Sequence, residues 1–90
     1  MKLLAPSELD AALRTLPHWS LRTDKLFREL VFADFAAAFS EMTRIALLAE
    51  ARQHHPEWWN SYRTLRVWLT THDAGGITEK DIELAHAIGA

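Results

Sequence analysis

The chain has 90 residues, 49% of them hydrophobic and 24% charged, with a formal net charge of −2. That length suits one domain over residues 1–90 with a modest core, and the mildly acidic balance gives no footing for a nucleic-acid or anionic-membrane partner. There is no cysteine, which removes disulfides, thiolate catalysis and zinc–cysteine centres. With no signal-like start and no apolar run near about 18 residues, a cytoplasmic protein without a membrane span is expected.

The stretch "PSELDAALRTLP" predicts a short helix. Ser7 can cap it, Asp10 sits in its first turn, and Pro17 stops it. Leu9, Ala12, Leu13 and Leu16 repeat at helical spacing. "HWSLRTDKLFRELVF" predicts a hairpin: Trp19 and Leu21 alternate with polar residues, Thr23-Asp24-Lys25 forms the turn, and Leu26 to Phe32 return. Both parities of the return strand carry apolar residues, so its inward face stays open.

"DFAAAFSEMTRIALLAEARQH" is the strongest helix. Asp34 caps it, and Phe35, Ala38, Phe39, Met42, Ile45, Ala46 and Ala49 make one apolar stripe. Pro56 limits it, because the residue before a proline is pushed out of the α region. Trp58 to Thr71 follows as strand, with Leu65, Val67 and Leu69 alternating against Arg66, Trp68 and Thr70. That run is too long for one strand, so a bulge or break is expected near Ser61–Arg63. Gly75-Gly76 then makes a turn and a last helix begins, Thr78 and Asp81 forming a capping box. The order of elements predicts an α+β fold with helices on one face of an antiparallel sheet.

The chemistry gathers around "QHHPEWW". Glu50 precedes His54 by one helical turn, so the two should share a face. His54 falls in the last turn of the helix and His55, before Pro56, is extended. The two rings therefore point differently and can line one pocket from different sides. A helix C-terminus and a nearby carboxylate both favour imidazolium, which suits a general acid near neutral pH. His72 ends a strand just before the diglycine turn and can project into the same cleft.

Each feature also has a structural reading. A histidine at a helix end is a common cap, Glu50 is an ordinary solvated helix charge, and Trp58, Trp59 and Trp68 are commonly core or interface. The diglycine reads first as a turn; His18 and His86 read as surface residues. Three histidines and a glutamate are acceptable zinc ligands. Adjacent histidines make awkward co-ligands, however, and no H-x-x-x-H pair is present, so neither a metal nor another cofactor is expected.

"HHPEW" followed by "TTHDAGGITEKDIELAHAI" resembles the pterin-4a-carbinolamine dehydratases, whose pattern is E-K-x-x-H-H-P-E-W, then T-H-x-x-G-G-L-T-x-x-D-x-x-L-A. "FAAAFSEM" agrees as well. The resemblance implies a four-stranded antiparallel sheet with three helices packed on one face, assembled as a homo-oligomer, dimer or tetramer. It implies a hydro-lyase that removes water from a 4a-hydroxytetrahydropterin, giving quinonoid dihydropterin and recycling the pterin of aromatic amino acid hydroxylases. By position, His54 and His72 correspond to general acids, His55 to a substrate-holding histidine and Glu50 to the acidic residue behind the cluster. Pro56 and Trp58 would line the pocket and Thr71 would flank it. Ala51 and Gln53 depart from the pattern, which has lysine and an aspartate or asparagine there; Ile77 stands for leucine. Some relatives of this fold have lost the site and act as dimerising partners or scaffolds. Retention of all three histidines favours the enzyme.

Overall fold

A computed structural model describes residues 2–90. The elements run α1 (Pro6–Arg14), β1 (Ser20–Arg22), β2 (Lys25–Val31), α2 (Phe35–Arg52), β3 (Glu57–Ser61), β4 (Thr64–Leu69), a single 3-10 turn (His72–Ala74) and α3 (Glu79–Ile88). The strands form one antiparallel sheet in the order β1-β2-β4-β3. The helices cover one face of it, which is the α+β arrangement expected.

Local chemistry sets most boundaries. Pro6 opens α1 because its missing N–H costs nothing at the first helical position. That moves the start upstream of the expected cap: Ala5 occupies the cap position and its N–H donates to Glu8 Oε1 at 2.8 Å. Ser7 is already inside the helix, and Asp10 lies beyond the first turn. Asp34 caps α2 as expected, accepting the Ala37 N–H at 2.8 Å. Thr78 and Asp81 form the expected box at α3, with the Thr78 N–H 2.9 Å from Asp81 Oδ2. The long strand breaks where its alternation fails: Tyr62 and Arg63 make a two-residue turn between β3 and β4, Tyr62 at φ 50°.

Pairing register settles the open face question. Leu26 and Leu30 stand opposite Leu69 and Leu65, so they share the helix-facing side. Leu26, Leu65, Val67 and Leu69 are fully buried there with Ile45 and Leu84, each contributing about 1.5–3 kcal/mol through burial. Phe27 points the other way with Trp68. It is nevertheless buried, because Arg22 lies 4.4 Å above its ring and the Trp68 ring is 5.1 Å away. The buried stripe of α2 is narrower than expected. Ala38, Ile45 and Ala49 face the core, while Phe35 and Phe39 are half exposed, their rings tilted against each other with centroids 5.9 Å apart, and Ala46 lies on the outer flank. Among the described residues no helix is long and apolar enough to cross a membrane.

Candidate active site

The end of α2 aims the first histidine. Gln53 adopts the left-handed conformation, φ 53°. Its N–H reaches Glu50 O at 3.1 Å and the His54 N–H reaches Ala49 O at 3.1 Å, the double bond of a Schellman ending. This reversal carries His54 off the helix axis and under α3. There its Nε2 lies 2.6 Å from Asp81 Oδ1, with side chains 11% and 0% exposed. The expected pairing of His54 with Glu50 across one turn does not form, because the helix ends two residues before His54.

Asp81 sits at the middle of a closed network. The Lys80 N–H donates to Thr78 Oγ1, the Thr78 hydroxyl lies 2.8 Å from Thr71 Oγ1, and the Thr71 hydroxyl donates to Asp81 Oδ2 at 2.8 Å. With the Thr78 N–H also on Oδ2, this carboxylate acts only as acceptor. Where that carboxylate is ionised, its partner on Oδ1 donates, so that His54 Nε2 carries the proton and Nδ1 is the ring nitrogen that Asp81 does not engage. Among the described residues no buried side-chain nitrogen or oxygen is left without a partner.

The other two histidines are looser. His55 Nε2 is 2.8 Å from Glu50 Oε1, with side chains 63% and 74% exposed. Glu50 thus stands outside the cluster, at the surface, on the histidine next to the one expected. His72 lies in the 3-10 turn just past β4, its Nε2 3.3 Å from Glu57 Oε2. The other oxygen of Glu57 holds Lys25 Nζ at 2.5 Å. That hydrogen bond pulls the Glu57 carboxyl below its ordinary value; burial opposes it, and the Lys25 and His72 charges assist.

His54, His55 and His72 line one cleft of about 260 Å³ together with Gln53, Thr71 and Lys80. Glu50, Pro56 and Trp58 do not line it. Trp58 stands on the helix-facing side of β3, packed against the core, and borders a neighbouring cavity instead. Asp81, Glu57 and Lys80 are the participants that sequence reasoning passed over. Asp81 had a signal: a box carboxylate uses one oxygen on the cap, and its second oxygen was free for a histidine. Among the described residues no three histidine or acidic side chains are grouped as a metal site. What the cleft offers is three imidazoles able to exchange protons, one of them fixed by a buried carboxylate and two paired with carboxylates in water, beside a lysine and an amide able to hold a polar ring.

Comparison with known proteins agrees with the geometry. The family profile described as pterin 4 alpha carbinolamine dehydratase matches residues 2–90. A protein of Synechococcus sp. (strain WH7803) is 50% identical over 88 residues, covering 98% of this chain and 95% of its own. One of Rhodopseudomonas palustris (strain BisB18) is 51% identical, covering 100% and 91%. Both carry the name "Putative pterin-4-alpha-carbinolamine dehydratase". A crystal structure from Brucella melitensis, described as a transcriptional coactivator/pterin dehydratase, superposes with a TM-score of 0.91 at 41% identity, covering 94% of this chain and 93% of that one. On the matched length, the sequence identity and the shared fold, this chain belongs to the pterin 4 alpha carbinolamine dehydratase family.

Proposed function

We propose that the protein is a hydro-lyase that converts a 4a-hydroxytetrahydropterin into quinonoid dihydropterin and water. The observation that carries this reading is the meeting of three histidines, each paired with a carboxylate, in one cleft. Two protons must move. The departing 4a-hydroxyl needs one, and N5 must give one up, so that the C4a–O bond breaks as the N5–C4a double bond forms. His54 and His72 are the pair for this. The imidazolium of one protonates the hydroxyl, and the neutral imidazole of the other collects the N5 proton.

Asp81 is the positioning residue for His54: it fixes the tautomer so that Nδ1 addresses the substrate. Glu57 lies 3.3 Å from His72 in a more exposed setting and draws the ring toward it without locking it. His55, steadied by Glu50, holds the ring, and Thr71 closes the cleft wall. Pro56 sets the extended backbone that separates His55 from β3, and Trp58 supports the cleft from the core side. A cytoplasmic setting, where reduced pterins persist, fits a chain without cysteine. The test is a stopped-flow or coupled assay of 4a-hydroxytetrahydropterin breakdown, with the uncatalysed rate subtracted. Acceleration proportional to enzyme is expected, and a rate equal to background overturns the reading.

A homo-oligomer belongs to this proposal. Phe35, Phe39 and Leu47 of α2 are 49%, 56% and 69% exposed, and β3 is an uncovered sheet edge carrying the half-exposed Trp59; both features call for cover. Light scattering should give a multiple of the 10.3 kDa chain, and a monomer mass at micromolar concentration would refute it. The same exposed helix face supports a second reading, a dimerising partner protein. A protein that binds partners through α2 without accelerating dehydration would decide for it.

A further inference from the structure

His72 and Glu57, 3.3 Å apart, belong to two different cavities, His72 lining one and Glu57 the other, so that the pair stands as a partition between them. On one side is the histidine cleft. On the other is a larger cavity of about 520 Å³ that includes Arg22, Lys25, Glu57 and Trp68 in its walls. The chemistry proposed above makes no use of it. Its construction is specific. Trp68 is held against Phe27 at 5.1 Å and remains partly exposed. The Arg22 guanidinium rests 4.4 Å from the Phe27 ring and, among the described residues, takes part in no ion pair. Glu57, the one carboxylate in the wall, is already engaged by Lys25 at 2.5 Å. The cavity thus offers an aromatic surface and one cation in excess of its acidic groups.

Pterin chemistry connects the two cavities. C4a is bonded to N5, and N5 to C6, which bears the substituent that distinguishes one pterin from another. A histidine that serves the 4a-hydroxyl or N5 stands beside the root of that substituent, and His72 is both such a histidine and half of the partition. We infer that the cavity of Arg22, Lys25 and Trp68 receives the C6 substituent, and that the preferred substrate is a reduced folate, whose p-aminobenzoylglutamate group is aromatic and anionic. The aryl ring lies on Trp68 and a glutamate carboxylate meets Arg22. A short neutral polyol at C6 satisfies neither. A phosphorylated polyol satisfies Arg22 and leaves Trp68 uncovered. This inference rests on the dehydratase reading.

The experiment compares three 4a-hydroxytetrahydropterins that share the ring and differ at C6: a dihydroxypropyl group, its phosphate ester, and p-aminobenzoylglutamate. kcat/KM is measured for the wild type, Arg22→Met and Trp68→Thr, the last chosen because threonine suits a strand. The wild type should prefer the folate-type substrate over the neutral one on the order of tenfold, within the reach of one charge-assisted hydrogen bond. Arg22→Met should remove most of that ratio. Trp68→Thr should lower it while leaving the phosphate-to-neutral ratio in place. Equal kcat/KM for all three substrates overturns the inference, as does a preference that survives both substitutions or one for the phosphate ester over the folate type. Titration of tryptophan fluorescence with 7,8-dihydrofolate and 7,8-dihydrobiopterin reads the cavity without turnover. Tighter binding of dihydrofolate, lost in Arg22→Met, is expected, and equal Kd values count against the assignment. Failure of the dehydratase reading looks different: none of the three substrates breaks down faster than background, whatever the binding.

Discussion

Two histidine–carboxylate pairs lie at the end of one helix, with nearly equal distances and opposite circumstances. His54 and Asp81 are 2.6 Å apart and His55 and Glu50 are 2.8 Å apart. The first pair is almost closed to solvent, and its carboxylate is fully subscribed by Thr71 and Thr78. The second stands in water, where an ion pair is worth about 0–1 kcal/mol. Contact distance therefore says little about what a pair can do. Burial and the other obligations of the carboxylate decide whether it fixes an imidazole or merely decorates it.

Substitutions can break or sharpen that contrast. The largest effect is expected from replacing both His54 and His72 by alanine. Either histidine can serve the hydroxyl, so the double variant should lose far more than either single one, roughly 10²–10⁴-fold in kcat. Near-wild-type turnover above background in that variant would end the proposed mechanism. Next comes Asp81→Asn, which keeps the shape and removes the charge. It should lower kcat more than it raises KM, because the His54 tautomer is no longer enforced. It should also cost roughly 1–3 kcal/mol in urea unfolding, since the network loses an acceptor. An unchanged kcat with lowered stability would reduce Asp81 to a helix cap.

His55→Ala should raise KM with a smaller change in kcat, the mark of lost ground-state contact; a dominant kcat effect would move His55 into proton transfer. Glu50→Gln keeps an acceptor for His55 and should be the mildest, within about 0.5 kcal/mol in stability and about twofold in KM. A large loss there would erase the distinction between the two pairs.

The sequence made legible whatever depends on neighbours a few residues apart. Asp34, the Thr78–Asp81 box, and the break between Ser61 and Arg63 are all local, and the structure has them. The misses come from longer range or finer geometry. Ser7 looks like a cap until Pro6 claims the first helical position. The buried stripe of α2 is narrower than its spacing suggests, since Phe35, Phe39 and Ala46 are exposed, and which part of an apolar face is covered is decided by packing against distant elements. Gln53 in the left-handed region is what redirects His54, and nothing in its type announces that conformation. Asp81 and His54 are 27 positions apart, so spacing could bring the histidines to one end of the molecule but could not name the group that holds the buried one.

The carbonyl of Thr71 accepts N–H groups from Ala74, Gly75 and Gly76, while the Thr71 N–H reaches back to Gly76 O at 2.8 Å. The loop bearing His72 is thereby tied shut at its base and rides with β4. This separates two clocks. Rotation of the His72 side chain, which is 71% exposed, belongs to the picosecond-to-nanosecond range, whereas opening the loop would require microseconds or longer. Amide hydrogens at Ala74, Gly75 and Gly76 should therefore exchange as slowly as those of the strand. On the proposed reading a substrate would reach the cleft past the His72 ring without the loop having to open, and the rate of turnover would be left to the chemistry and to the release of product.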